Sequence, residues 1–176
     1  MAQLAVVRVD SRLLSSRLDR ELSSGSGQLA KGWIKVTNAD HIMIIDDTIK
    51  GDAFMMQMNQ HASPVPCIFK GVEEAAQSWK ENQFGEEGRF IVLFQDVEPA
   101  CRAYKAGFEF PLLQLGNIHS GPGRKVLESR LALSEVDAHM LNDLVKQGLV
   151  VEFRAALEKE MTPWQPTISK FFPSCV

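Results

Sequence analysis

The sequence predicts an α/β fold, a three-layer α/β/α arrangement around a mainly parallel central sheet of about six or seven strands. Three observations carry that prediction. Short apolar runs rich in β-branched and aromatic residues recur along the chain, at 4–9, 41–45, 66–69, 90–94, 112–115 and 149–153. Most of the gaps between them hold apolar residues spaced three and four apart, the mark of a helix with one buried face. Alternation of the two kinds of segment makes crossover units, which lay strands parallel and put helices on both sides of the sheet.

The first run, 4–9, breaks at Asp10. Leu14, Leu18 and Leu22 then fall four apart among Arg12, Arg17 and Arg20, which reads as a short one-sided helix over 11–22. Ser23-Ser24-Gly25-Ser26-Gly27 ends it. Leu29, Trp33 and Val36 give the next helix, over 28–36, with Asn38 as its stop. The strand at 41–45 ends in Asp46-Asp47. Asp52 suits the N-cap of a helix carrying Phe54, Met55, Met58 and Ala62, stopped by Pro64 and Pro66. Its methionines read as core filler, the usual use of a flexible thioether. After the strand at 66–69, Val72, Ala75, Ala76 and Trp79 mark a helix over 72–82. Phe90 to Phe94 is the most strand-like run of the chain. Asp96 caps, and Gly107 ends, a helix with Val97, Ala100, Cys101 and Tyr104 inward. The strand at 112–115 leads to a glycine-rich loop, 116–125. Ser134 then opens a helix with Val136, Met140, Leu141, Leu144 and Val145 on one face, ended by Gly148, before the strand at 149–153.

At 176 residues the chain is sized for one domain with a real core. It is 45% hydrophobic and 23% charged, with a net charge of −3, so it lacks the basic stripe of a nucleic-acid binder. No apolar run approaches the length of a membrane span, and the N-terminus lacks the pattern of a signal peptide. Cys67, Cys101 and Cys175 have neither pairing nor metal-ligand spacing. The expectation is a reduced, soluble, cytoplasmic protein with no metal and no cofactor.

Two loops that follow strands carry the candidate chemistry. The first holds Asp10, Arg12, Ser26, Gly27 and Gln28; the second holds Asn117, His119, Arg124 and Lys125 among three glycines. In a parallel sheet both fall on one edge, outside the carboxyl ends of the strands, where ligands bind. Arg12, Arg124 and Lys125 could there converge on one phosphate, with glycine-rich backbone supplying N–H donors. Of the four histidines, His41, His61 and His139 read as structural or solvated. His119 differs because it sits beside two cations, which would hold it neutral and nucleophilic. Asp46-Asp47 reads as a helix cap and turn rather than a magnesium site. No Walker loop, dinucleotide fingerprint or Ser/His/Asp order is present.

Read together, these pieces resemble the IIB component of the mannose/fructose/sorbose family of the bacterial sugar phosphotransferase system. That family opens R-V-D-x-R-L-I-H-G-Q-V-x-x-x-W. Here Arg8-Val9-Asp10-Ser11-Arg12-Leu13-Leu14 is followed by Gly27-Gln28-Leu29 and Gly32-Trp33. The resemblance continues through Ile44-Ile45-Asp46-Asp47, Val72-Glu73-Glu74-Ala75-Ala76, Leu115-Gly116-Asn117, Pro122-Gly123-Arg124-Lys125 and Leu133-Ser134-Glu135. It implies a parallel-sheet α/β/α fold and a phosphoryl carrier. The family's first-loop histidine takes the group from a phosphohistidine of a IIA partner, and passes it to a sugar held by membrane IIC–IID components. It also implies a phosphate-binding set of Asp10, Arg12, Gly27, Gln28, Asn117, Arg124 and Lys125.

The chain departs from that pattern at the acceptor. Counting back from Gly27-Gln28 puts Ser26 at the histidine's place, and counting forward from Arg12-Leu13-Leu14 puts Ser15 there, with about 11 residues inserted between the two. A serine hydroxyl needs a base to activate it, and its phosphate ester would not readily pass the group on. Three readings follow: a carrier in which His119 has taken over, a regulatory IIB that still docks IIA or IIC–IID, and a phosphate- or sugar-phosphate-sensing domain. The domain is expected over 1–157. A C-terminal extension, 158–176, carries Pro163, Trp164, Pro166, Phe171 and Phe172, so it is apolar but broken by its prolines, and it either packs back or makes a partner contact, such as a homodimer.

Overall fold

The computed structural model describes residues 1–11, 26–128 and 130–176. All but the first residue of the helix expected over 11–22 lies outside the described residues, as do Arg12 and Ser15. In chain order come β1 (Ala2–Val9), α1 (Ser26–Thr37), β2 (His41–Ile45), α2 (Asp47–Lys50), α3 (Ala53–Ala62), β3 (Cys67–Lys70) and α4 (Val72–Asn82). Then follow β4 (Gly88–Phe94), α5 (Val97–Lys105), β5 (Leu112–Leu115), β6 (Arg124–Glu128), β7 (Leu131–Ser134) and α6 (Glu135–Lys146). The chain closes with β8 (Val150–Phe153), β9 (Thr162–Pro163), α7 (Trp164–Phe171) and a 3-10 turn, Pro173–Cys175.

Among the described residues seven strands form one sheet in the order β3-β2-β4-β1-β5-β8-β9, and β6 pairs with β7 in a separate hairpin. Every neighbour in the main sheet is parallel except β9, which runs antiparallel to β8. The two-residue alternation of the strands sorts their side chains between two cores. Ile42, Ile44, Ile91 and Leu93 pack on one face with Ala30 and Trp33 of α1. Met43, Ile45, Phe90, Val92 and Phe94 pack on the other, with Val72 of α4, Ala100 of α5 and Leu141 of α6. A strand buried on both faces reads as an unbroken apolar run, which is why FIVLF stands out. Connections that move toward β3 cross on the α1 face, and those that move toward β8 cross on the opposite face, as right-handed crossovers require. This is the expected three-layer fold.

Helix starts and stops follow from side chains. Asp46 Oδ1 accepts the N–H groups of Thr48 and Ile49, both at 2.8 Å, so Asp46 caps α2. Asp52 accepts from Met55 N, Asp96 from Val97 N, and Ser134 with Asp137 forms a reciprocal capping box on α6. Asn38, past the end of α1, takes the left-handed conformation at φ 51°.

Four expectations change, the first being that Val36 of α1 and Val136 of α6, expected on the buried faces of their helices, are exposed. The methionines of α3 fill the core only in part: Met56 and Met58 are half-buried, Met56 against the α1-side core, but Met55 is exposed, Phe54 is 67% exposed, and the buried residue of the helix is Asn59. Its physical reason is position, because α3 packs beside the edge strand β3, whose residues are all only half-buried. The hairpin β6–β7 replaces an expected loop at its start; β6 is charged and mostly exposed, so it gave no apolar signal. The tail is not broken by its prolines. Pro163 precedes α7 and Pro166 lies in its first turn, where a missing N–H costs nothing. Trp164, Ile168, Phe172 and Cys175 enter the same core as α5 and α6, so the tail packs back on its own chain.

Candidate crevice at the strand ends

The connection after β1 leaves toward β3 and the connection after β5 leaves toward β8, so the chain diverges between these two neighbours. Such a reversal opens a crevice at the carboxyl ends of the strands, the usual ligand site of an open α/β sheet. Val9 pairs with Leu115 in the register, and the next residues on each side are Asp10 and Gly116. Gly116 N donates to Val9 O and Ser11 N to Asn117 O, both at 2.9 Å, which ties the two loops together as they leave the sheet. Asn117 Nδ2 donates to Asp10 Oδ1 at 3.2 Å and Oδ2 at 3.3 Å, and reaches Ala155 O at 3.4 Å. Asp10 and Asn117, predicted from separate loops, therefore meet.

Beneath them lies Arg8, whose side chain is wholly buried in β1. Its Nη2 donates to Asp10 Oδ2 at 2.8 Å and to Arg154 O at 3.0 Å, while Nη1 donates to Gln114 Oε1 at 2.8 Å. Gln114 Nε2 passes the chain of bonds on to Glu152 Oε1 at 2.7 Å. The guanidinium stacks 4.0 Å from the ring centre of Trp33, with Arg154 at 5.5 Å from the same ring. Burial pulls Arg8 below the ordinary arginine range, and the charge and hydrogen bond of Asp10 oppose that pull. Gly116 has no Cβ because one there would overlap Arg8 Nη2 and Asp10 Oδ2. A buried charge is tolerated only when paired and hydrogen-bonded, and this one is both.

The second loop holds the remaining candidates. His119 is half-buried and lines a small cleft of about 100 Å³ with Ile118, Ser120, Arg130 and Ala132. Its carbonyl accepts from Arg124 Nη1 at 3.1 Å. Arg124 Nη2 meets both carboxylate oxygens of Asp96, at 2.7 and 2.8 Å, and Nε lies 3.4 Å from Asp137 Oδ2. Lys125 Nζ donates to Phe171 O at 3.1 Å and sits 4.8 Å from the ring centre of Phe172. The expected convergence of Arg12, Arg124 and Lys125 on one phosphate is thus divided. Arg124 is committed to two helix-capping carboxylates, Lys125 reaches the C-terminal segment, and Arg12 lies outside the described residues. Ser26, Gly27 and Gln28 form the first turn of α1, which contains no acidic residue. A helix start of that kind favours an anion through its N–H groups and dipole.

The sequence reading took Arg8 only as a letter of a motif and missed Gln114, Glu152, Arg154 and Trp33 as its partners. Its signal was present: an arginine inside a run of buried valines has to be paired. Gln114 and Glu152 stand opposite one another in the β5–β8 register, a relation that needs the strand order to be seen.

The family model described as the PTS system sorbose subfamily IIB component matches residues 4–172. The sorbose-specific EIIB component of Klebsiella pneumoniae is 25% identical over 154 residues, 86% of this chain and 87% of that protein. The mannose-specific EIIAB component of Escherichia coli K12 is 21% identical over 170 residues, and this chain spans 49% of its length. Among solved structures, manxB from Thermoanaerobacter tengcongensis aligns with a TM-score of 0.84 at 25% identity, covering 98% of this chain and 99% of that one. The chain belongs to the sorbose-subfamily IIB component family of the sugar phosphotransferase system. Among the described residues no helix is long and apolar enough to cross a membrane.

Proposed function

We propose that this chain is a IIB component that keeps the family's frame at the strand ends, carries no phosphoryl group in its first loop, and acts by docking. One observation carries this reading. The histidines of the chain are His41, His61, His119 and His139, so none lies between β1 and α1, where the family motif places its acceptor. Ser26 or Ser15 occupies that place, according to which side of the insertion is aligned. Imidazole attacks phosphorus as a neutral group and holds the phosphoryl at high transfer potential, whereas a serine ester would trap it. The buried network of Arg8, Asp10, Gln114 and Asn117 is nonetheless in place.

The partners implied are a IIA component, which a mannose-specific relative carries in the same chain, and membrane IIC–IID components. His119 is the one histidine that lies in a loop on this edge of the sheet, and it supports the runner-up, a relocated acceptor. His41 stands at the opposite end of β2 and stacks on Phe90 at 5.1 Å. Binding of purified IIA, followed by calorimetry, tests the docking reading: a complex that forms whether or not IIA is phosphorylated supports it. Absence of a IIA complex, with binding of inorganic phosphate or a sugar phosphate instead, would favour the sensing domain. A homodimer draws no support from Trp164 and Phe172, which this chain buries in its own core.

A further inference from the structure

Outside the crevice, a second constellation brings together three side chains that sequence spacing kept apart. Glu135 and His139 are one turn apart on α6 and exposed, so both project from the same stripe of the helix. Cys175, in the closing 3-10 turn, lies beside them. A carboxylate oxygen, an imidazole nitrogen and the sulfur all lie within 4.8 Å of one another.

We propose that Glu135, His139 and Cys175 form a metal site for a borderline transition-metal ion of the zinc class, which fastens the C-terminal segment to α6. The donor set selects the ion. Thiolate and imidazole suit zinc and its neighbours, whereas calcium and magnesium need shells of oxygen. Three protein ligands leave a fourth position for water, a common arrangement for zinc. A tetrahedral zinc ion with bonds of about 2.0–2.3 Å holds its donors about 3.3–3.8 Å apart, so closure asks the side chains to draw in by about an ångström. Two of the three are exposed and can do so.

The third ligand is held in place. Phe172 and Cys175 are buried, and Cys175 N donates to Phe172 O at 2.9 Å. The Cys175 carbonyl accepts from the buried Asn142 amide, whose oxygen in turn accepts from Trp164 Nε1 at 3.3 Å. Ser174 Oγ donates to Glu135 Oε1 at 2.5 Å, a hydrogen bond that orients the carboxylate. The sulfur therefore sits at the floor of a shallow site whose rim is Glu135 and His139, and an ion enters from solvent. On binding, the thiol gives up its proton to solvent and the metal–sulfur bond forms, with no change of oxidation state.

The test uses the whole chain without an affinity tag, reduced and stripped with chelator, then titrated with Zn²⁺ and separately with Co²⁺. The expected results are one ion per chain and a thiolate-to-cobalt charge-transfer band. Zinc at about a hundred times its Kd should raise the thermal midpoint by roughly 5–10 °C. H139A and E135Q, both at exposed positions, should each weaken binding by more than about tenfold. C175S should abolish the band, and H61A, remote on α3, should change nothing. Absence of stoichiometric uptake, uptake without a thiolate band, or uptake unaltered in H139A would overturn the proposal. Because H139A and E135Q alter surface groups, the proposal stays falsifiable even if C175S fails to fold.

Discussion

Two arginine–carboxylate pairs stand at the carboxyl edge of the sheet, Arg8 with Asp10 between β1 and β5, and Arg124 with Asp96 beyond β4. The side chains of the first pair are 0% exposed; those of the second are 19% and 45% exposed. Removing water costs a charge heavily, so both terminal nitrogens of Arg8 meet acceptors and its plane meets an aromatic face, and Gly116 is kept bare to admit it. Arg124 pays less for its charge and bridges the caps of two helices, Asp96 on α5 and Asp137 on α6. The first pair is buried architecture at the sheet's edge. The second is a tie that salt or a competing anion can loosen.

Arg8→Met breaks the comparison most sharply. It removes the cation facing the buried Asp10 and should cost about 3–5 kcal/mol in urea unfolding, with part recovered in the double variant carrying Asp10→Asn. A loss under about 1 kcal/mol would mean that water enters the crevice. Gly116→Ala comes next: its added methyl meets the same pair, and the overpacking should cost about 1–3 kcal/mol by the same measurement. Arg124→Ala should cost about 1 kcal/mol at low salt and less at high salt, because its pair is partly solvated and screened.

Smallest at neutral pH is the effect of Cys101, where burial outweighs the opposing charge of Lys105. Burial pushes its thiol up to about 12 from 9.0. The unfolded chain therefore ionises this group first, so its contribution is complete below about pH 9 and is lost as pH rises toward 12. Cys101→Ala should flatten the alkaline loss of stability and leave the neutral value almost unchanged apart from packing. Alkylation of the native protein should spare Cys101.

The fold was legible because its signals are local. Apolar runs such as 41–45 and 90–94, and caps such as Asp52, Asp96 and Ser134, depend on neighbours within one turn or one strand. What stayed hidden depends on strand order or on the end of the chain. Arg8 finds Gln114 across more than a hundred residues, and Arg124 finds Asp96 through a hairpin too charged to look like one. Phe54 and Met55 misled because a helical stripe shows which residues share a face but not whether that face meets the core or the sheet's edge. In the site, the placing of Asp10 and Asn117 on one edge was readable from parallel strands alone; their contact, which needs β1 beside β5, and the diversion of Lys125 to Phe171 were not.

The central claim is that the frame persists while the phosphoryl relay through the first loop is gone. Incubation with labelled phosphoenolpyruvate, the general phosphotransferase proteins and a IIA component, followed by assay for acid-labile label, tests it most directly. The account predicts no acid-labile label on the wild-type chain beside a detectable IIA complex. Acid-labile label at stoichiometric level would contradict it, and its disappearance in His119→Ala would place the relay in the β5 loop.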